Sequence, residues 1–206
     1  NVGKLKLIKA EIANIVPLSD VEVKILLNDF DNSYFGIRNK LMVMLMLDSG
    51  LRRGEVVNLE SKNIFMHNNT MLVQGKGEKE RLVPFGEETK RYINRYSHMR
   101  NEYEKRFFQK EDGTPITDNT IKMYFQDLKE STGIIRLHPH LLRHTFATNY
   151  ILYGGDVEEL RILLGHTSLQ MTMKYVHLAT QQRILNQRYH SHIDKLFCQY
   201  DNKLAQ

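Results

Sequence analysis

Cysteine is nearly missing from this sequence of 206 residues, which contains Cys198 alone. A lone cysteine excludes an internal disulfide and a metal site built from several cysteines, and it fits a reducing compartment such as the cytoplasm. Long apolar runs are also missing, because the longest, Leu41 to Leu47 ("LMVMLML"), is far below the roughly 20 residues that cross a bilayer. We therefore predict no membrane-spanning segment.

The start of the sequence, Asn1-Val2-Gly3-Lys4, has neither an initiator methionine nor an apolar signal segment. We expect the chain to be processed or to be part of a longer protein with a further amino-terminal domain. What is present suits a folded domain, since 41% of the residues are hydrophobic and can build a core in one large or two small domains. The formal net charge of +5 favours a polyanionic partner, although charge alone is a weak signal.

The spacing of apolar residues predicts a mainly helical domain with one small sheet. Ser19 to Glu22 has the form of a capping box ahead of a first helix, and Gly50 is placed to end the second. The stretch from Asn63 to Phe85 alternates apolar runs with turn signals, which predicts a three-stranded antiparallel meander. The other predicted helices cover Tyr34 to Asp48, Arg53 to Leu59, Glu87 to Glu102, Asp118 to Ser131, Pro139 to Tyr153, Asp156 to Leu164 and Ser168 to Tyr175, with a last amphipathic helix after Thr180.

A first candidate site is "GLRRGEVVNL", in which Arg52 stands at the start of a helix and Glu55 follows one turn later. The guanidinium adds its donors to the free backbone N–H groups of a helix amino terminus, a combination suited to phosphate. Glu55 can hold that guanidinium in orientation. The same two residues would also form an ordinary exposed ion pair, so this segment alone does not decide its function.

The turn "GKGEKER" carries Lys76 between two glycines at the tip of a predicted hairpin. A titratable amine on such a turn suits proton donation to a leaving oxygen. Taken alone, the motif more often marks an ordinary solvated lysine. The G-x-x-x-x-G-K-[ST] spacing of a nucleotide-binding loop is absent, which excludes that kind of enzyme.

The stretch "HPHLLRHTFATNY" concentrates His140, Arg143 and His144 on a helix that begins with Pro139. His140 and Arg143 are three residues apart and share a face. His140 and His144 have the spacing of a zinc pair, but Leu141 stands where H-E-x-x-H has glutamate, and Arg143 would put a cation beside the metal. We therefore predict an anion site rather than a metal site.

The last segment, "LLGHTSLQMTMKYVH", places His166 after the helix-ending Gly165 and places Tyr175 further along a short helix. A tyrosine at such a position usually belongs to the core, but the polar neighbours Lys174 and His177 predict an accessible phenol. Its phenolate can attack phosphorus once cations stabilise it, and the product is a covalent phosphotyrosine.

Taken in order, these motifs resemble the catalytic domain of tyrosine site-specific recombinases of the phage-integrase type. The resemblance covers nearly the whole chain, from "PLSDVEVKILL" through "GKGEKERLVPF" to the tyrosine segment. It implies the fold of DNA breaking-rejoining enzymes, with residues 1–206 as a single catalytic domain and its core at about 17–178. It also implies a set of catalytic residues, with Tyr175 as the nucleophile and His144 as a structural neighbour: Arg52, Glu55, Lys76, His140, Arg143, His166 and Tyr175.

The implied chemistry is cleavage of double-stranded DNA and strand exchange between two sites. Arg52 and Arg143, with hydrogen bonds from His140 and His166, would stabilise the charge on the nonbridging phosphate oxygens. By the same resemblance Lys76 protonates the departing 5′-oxygen. His140 is favoured as the acceptor of the tyrosine proton, although the sequence does not fix which group accepts it. The strand is left joined to the tyrosine by its 3′-phosphate, and no cofactor, nucleotide or metal is required.

The resemblance also implies a homo-oligomer, a tetramer on paired DNA sites, and a core-binding domain that we expect to lie outside this chain. An apolar stripe on the last predicted helix, at about residues 180–198, would pack on its own domain or on a neighbouring protomer, and the resemblance favours the neighbour. Two other functions stay open: a type IB topoisomerase, which rejoins the original strand, and a DNA-binding module with an inactive centre. The target site and the role in integration, excision, resolution or transposition are not readable from the sequence.

Overall fold

A computed structural model describes residues 16–75 and 80–185 of the chain. Its helices are α1 (Asp20–Asn28), α2 (Tyr34–Asp48), α3 (Arg53–Asn58), α4 (Glu87–Ser97), α5 (Asp118–Thr132), α6 (Pro139–Leu152), α7 (Val157–Leu164) and α8 (Gln170–Leu185). Its strands are β1 (Ile64–Phe65), β2 (Thr70–Gln74) and β3 (Glu80–Pro84). The predicted architecture, mainly helical with a small sheet, is confirmed.

Helix α2 lies at the centre of the larger hydrophobic core. Its middle is apolar on every side, and Leu41, Leu45 and Met46 are fully buried. Helices α4 and α6 both pack against it. The chain leaves α2 through Gly50, whose φ of 63° suits glycine and whose missing side chain leaves room for the Phe146 ring. This tight turn fixes where α3 begins.

A second, smaller core forms where α6, α7 and α8 meet. Ala147 of α6, Leu160 and Leu164 of α7 and Ala179 of α8 are fully buried in it. The small alanine side chains let α6 and α8 approach closely, and the ring of Tyr175 fills part of the space between the helices. The candidate nucleophile is therefore held in a core between helices.

The three strands form an antiparallel sheet in the predicted order, β1-β2-β3. Met71 of β2 pairs with Val83 of β3, and Val73 pairs with Arg81. Because side chains alternate between the two faces of a strand, Arg81 lies on the same face as the buried Val83. The tip between β2 and β3, which contains Lys76, lies outside the described residues.

Three predicted helices differ from those of the structure by more than one or two residues. Helix α4 ends at Ser97 rather than at Glu102, and Arg100 instead donates to backbone carbonyl groups of the loop that follows. The helix predicted from Ser168 to Tyr175 and the helix predicted after Thr180 form one continuous helix, α8, because neither glycine nor proline interrupts the sequence between them. The rest of the predicted terminal helix, residues 186–198, lies outside the described residues. Within the described part, no helix has both the length and the hydropathy that a membrane crossing requires.

Candidate active site

Glu55 is a buried carboxylate that contacts arginines from three parts of the chain. It is 5% exposed and accepts hydrogen bonds from the backbone N–H of Arg52 at 2.7 Å and from the Arg52 guanidinium at 2.9 Å. Arg81 donates to both carboxylate oxygens, at 2.7 and 3.0 Å, and Arg143 Nη1 lies 4.0 Å from Oε2. One buried anion therefore orients cations at the start of α3, on β3 and on α6.

Arg143 is deeply enclosed in this cluster, with 4% of its surface exposed. Its guanidinium donates to the backbone carbonyl of Gly50 at 2.6 Å and to that of Leu164 at 2.5 Å. Burial lowers the pKa of Arg143 to about 9, and the charge of Arg52 acts in the same direction while Glu55 opposes them. The group is still charged at neutral pH, and its position is fixed by the turn after α2 and by the end of α7.

Arg81 was not among the predicted site residues, yet it joins three parts of the site. Besides its ion pair with Glu55, its Nε donates to the carbonyl of Leu163 at 2.6 Å. A side chain at Gly165 would meet Arg81 at 3.3 Å, so the arginine lies directly against the turn that precedes His166. The signal was present in the sequence, because Arg81 is a cation at an inward-facing position of an alternating strand.

The ionisation of Glu55 is set by two opposing effects. Burial alone would raise the pKa of this carboxyl, but the hydrogen bond and charge of Arg81, the N–H of Arg52 and the charge of Arg143 outweigh burial and lower it. Because the folded-state pKa is lowered, the stabilisation by Glu55 is present above the unfolded-state pKa of about 4.3 and is lost as the pH falls through the folded-state value. The site therefore loses its central anion in acid.

We expect Glu55→Gln to lower the free energy of unfolding at pH 7 by about 3 kcal/mol, because it leaves buried arginines without their anion. The matched control is Glu158→Gln, which removes an exposed partner of Arg161 and should cost less than about 1 kcal/mol. Urea unfolding of both variants at pH 7 and pH 3 makes the comparison. The difference between Glu55→Gln and the unaltered chain should persist down to about the unfolded-state pKa of 4.3 and shrink below it, and equal small losses in both variants at pH 7 would contradict a central role for Glu55.

Tyr175 is 1% exposed, so the prediction of an accessible phenol is wrong. Helix α8 turns Thr172, Tyr175 and Ala179 to one face, which packs against α6 and α7. The polar neighbours Lys174 and His177 lie on other faces of the helix, where they are more exposed. Burial raises the pKa of Tyr175 to about 12, and the charges of Arg143 and Arg52 offset burial only in part.

Two histidines lie against the ring of Tyr175. Nδ1 of His144 is 2.8 Å from the Tyr175 hydroxyl oxygen, and the ring of His166 stacks on the tyrosine with centroids 6.3 Å apart. His166 is itself held by a 2.9 Å hydrogen bond between its Nδ1 and the Thr172 hydroxyl. Burial lowers the pKa of both histidines to about 4, with Lys174 and Arg143 acting in the same direction. Both imidazoles are therefore neutral at pH 7.

His140 lies on the exposed side of the first turn of α6, where burial, Arg143 and other cations lower its pKa. It lines an open groove between the start of α3, α5 and the start of α6. Glu55 is the one acidic residue that lines this groove among the described residues, and the basic lining residues are Arg52, Arg53, Lys122, Lys129, His138 and His140. The groove therefore suits a polyanion that runs past Arg52.

Most of the predicted site residues come together in space. Arg52, Glu55 and Arg143 form the ion cluster, and His166 lies beside Tyr175, whose charge environment includes Arg143 and Arg52. The sequence-based expectation did not include Lys174, whose ammonium lies 4.9 Å from the centre of the Tyr175 ring. In residues 16–75 and 80–185, no three His, Cys, Asp or Glu side chains are grouped as metal ligands would be.

Comparison with known proteins agrees with this geometry. Residues 17–182 match the Phage integrase family. The chain is 37% identical over 155 residues to tyrosine recombinase XerC of Staphylococcus epidermidis, covering 71% of this chain and 51% of that protein. Its structure superposes on the crystal structure of XerA recombinase with a TM-score of 0.74 and 29% identity, covering 85% of this chain and 66% of that one.

A second similar structure is that of XerH site-specific recombinase bound to its palindromic difH substrate in a post-cleavage complex. The TM-score is 0.69 with 22% identity, covering 81% of this chain and 51% of that one, which shows a shared fold. The chain spans about half the length of the curated relatives that it matches.

Proposed function

This chain belongs to the phage integrase family, and we propose that it is the catalytic part of a recombinase that cleaves and rejoins DNA through Tyr175. The observation that carries the proposal is the Glu55 cluster beside the tyrosine. Glu55 orients Arg52 and Arg81, and Arg143 is fixed 4.0 Å away by two backbone carbonyl groups. Such fixed cations stabilise a phosphate whose charge grows during attack.

The proposed reaction is an exchange of one phosphodiester for another. The Tyr175 oxygen forms a bond to phosphorus, the bond from phosphorus to the 5′-oxygen breaks, and the 3′-phosphate stays attached to the tyrosine. Arg52 and Arg143 would bind the nonbridging oxygens, with His140 and His166 adding hydrogen bonds. Attack by a 5′-hydroxyl then reverses the step, so the energy of the broken ester is kept in the phosphotyrosyl bond.

Double-stranded DNA is the proposed substrate. The basic groove that begins at Arg52 supports a phosphate-rich partner, and XerH, which shares the fold, was crystallised with DNA. The named relatives are recombinases, which supports strand exchange between two sites over relaxation by a type IB topoisomerase. A stable complex between the chain and nicked plasmid after SDS treatment would argue against a DNA-binding module with an inactive centre.

Lys76 is proposed as the acid that protonates the departing 5′-oxygen. We expect Lys76→Ala to slow cleavage of ordinary DNA by about 10²-fold, the usual contribution of a general acid. A bridging sulfur at the 5′ position departs without protonation, so the same variant should cleave a phosphorothiolate duplex at nearly the unaltered rate. The measurement is single-turnover cleavage of both duplexes, built around a cleavage position mapped on plasmid DNA. Equal losses on the two substrates would instead assign Lys76 to charge stabilisation.

We further propose that the protein acts as a homo-oligomer, a tetramer on paired DNA sites, because strand exchange needs an active tyrosine for each of four strands. The expected result is a complex of four protomers and two duplexes in light-scattering measurements of the protein with its DNA site. A complex that never exceeds one protomer per duplex during active recombination would contradict this assembly.

A further inference from the structure

His144 contacts the atom that would carry out the attack. Its Nδ1 lies 2.8 Å from the Tyr175 hydroxyl oxygen, and the two rings are 5.7 Å apart at their centroids. His144 lies on α6 and Tyr175 on α8, and these helices pack closely. The hydrogen bond therefore rests on two rigid elements, which is the setting in which a proton acceptor is held in place.

Other groups near the tyrosine are less suited to accept its proton. His166 already uses Nδ1 in its hydrogen bond with Thr172 and faces the tyrosine ring in a stacked arrangement. Lys174 lies over the ring face, and a protonated ammonium has no acceptor atom. His140 is on the exposed side of α6, in the basic groove. Arg143 has no acceptor atom in its charged form.

We propose that His144 is a catalytic residue whose Nδ1 receives the phenolic proton of Tyr175 as the tyrosine oxygen attacks phosphorus. The inference rests on the proposed DNA cleavage by Tyr175. The phenolic O–H bond breaks as the bond from oxygen to phosphorus forms, and the electron pair of the broken P–O bond leaves with the 5′-oxygen. That oxygen takes its proton from the separate acid, Lys76. In the reverse step, the His144 imidazolium returns its proton to Tyr175.

The electrostatic surroundings of His144 and Tyr175 make this proton transfer unfavourable until a DNA phosphate is bound. In the DNA-free protein, the pKa of Tyr175 is raised to about 12 and that of His144 is lowered to about 4, so proton transfer is strongly uphill. The groups that lower the pKa of His144, after burial itself, are Lys174 on α8, His140 and Arg143 on α6, and His138 just before α6. A phosphate among these cations, with charge growing during attack, offsets their effect and favours the imidazolium.

The first test separates proton acceptance from hydrogen bonding. In His144→Asn, the amide oxygen stands near the place of Nδ1 and can still accept the tyrosine hydrogen bond, but it cannot hold the proton. We expect a loss of about 10²-fold in the single-turnover rate at which the SDS-stable adduct forms on negatively supercoiled plasmid. His98→Asn, a histidine at the end of α4, is the matched control and should react at the unaltered rate. A His144→Asn variant within about threefold of the unaltered rate would overturn the inference.

The second test changes the acidity of the nucleophile. The phenol of a difluorotyrosine at position 175 is more acidic than that of tyrosine, so it gives up its proton more easily. This replacement should therefore raise the rate of adduct formation in His144→Asn at least tenfold. The same replacement should have little effect when His144 is present. Absence of this rescue would overturn the inference.

If His144→Asn does not fold, His144→Ala, which leaves a cavity in place of the imidazole, provides a second test of proton acceptance. Free imidazole in the medium should raise the rate of His144→Ala, and no rise in the folded variant would overturn the inference. If the unaltered chain itself forms no adduct on the plasmid, the proposed DNA cleavage fails first and His144 loses its role with it. An active unaltered chain with a fully active His144→Asn variant rejects His144 alone.

Discussion

Tyr175→Phe is expected to abolish the covalent adduct with DNA while leaving DNA binding nearly unchanged. The substitution removes the phenolic oxygen that would form the bond to phosphorus, so the variant has no nucleophile at this position. It also removes the hydrogen bond with His144, which should lower stability by only about 1 kcal/mol. The measurements are SDS-stable adduct formation on supercoiled plasmid and binding by gel shift.

The matched control for this prediction is Tyr150→Phe. Tyr150 packs in the same small core, and its hydroxyl donates to Glu159 at 2.7 Å, so this variant loses a comparable hydrogen bond away from the reacting atoms. Tyr150→Phe should form the adduct at the unaltered rate. An adduct that persists in Tyr175→Phe would show that another residue is the nucleophile.

Arg143→Lys is expected to lower the cleavage rate by about 10²- to 10³-fold, the range seen when one fixed donor to a transition-state charge is removed. A lysine has no planar fork, so it cannot reach the carbonyls of Gly50 and Leu164 together and still face a phosphate. Burial and Arg52, which already lower the pKa of Arg143 to about 9, would also leave much of a lysine uncharged at pH 7. Geometry and charge are both lost.

Arg100→Lys provides the control for Arg143→Lys. Arg100 also donates to backbone carbonyl groups, those of Phe107 and Arg106, but it lies in the loop after α4 and is not part of the Glu55 cluster. It should cost some stability and leave the cleavage rate per folded molecule unchanged. Circular dichroism and thermal unfolding establish the folded fraction of both variants. Near-normal cleavage by folded Arg143→Lys would remove Arg143 from the proposed mechanism.

Local patterns in the sequence were enough to predict most of the fold. The Ser19 capping box, the apolar run of α2 and the turn at Gly50 each depend on neighbouring residues, and each is confirmed. The sheet was predictable for the same reason, because alternation and turn residues are visible over a short stretch. The continuous helix α8 was wrongly predicted as two helices, with an end near Tyr175 that no glycine or proline supports.

In the candidate site, the sequence predicted the contacts between residues that are close along the chain, but not the contacts between distant elements. Arg52 and Glu55 are one turn apart, so their contact follows from the helix period. The contact of Arg81 with Glu55 joins β3 to α3, and no local spacing reveals it. Whether Tyr175 is accessible depends on how α6, α7 and α8 pack together, and its exposed neighbours along the chain misled the prediction.

The contact between His144 and Tyr175 shows the same limit. Along the sequence, His144 was considered as a partner of His140 because the two are four residues apart. In the structure its nearest functional partner is Tyr175, 31 positions further along the chain and on a different helix. Only the crossing of α6 and α8 brings the imidazole to the phenol, and that crossing depends on small side chains such as Ala147 and Ala179.

The most direct measurement of the central claim is the mass of the peptide that becomes attached to DNA. The chain is incubated with supercoiled plasmid, the adduct is isolated after SDS, and the DNA and protein are digested with nuclease and trypsin. Cleavage after Lys174 and Arg183 releases the peptide "YVHLATQQR", which begins with Tyr175. The account predicts that this peptide carries one or more nucleotides on Tyr175 and that polynucleotide kinase labels a free 5′-hydroxyl at the nick. Nucleotides on another peptide, or a 5′-phosphate left at the nick, would contradict it.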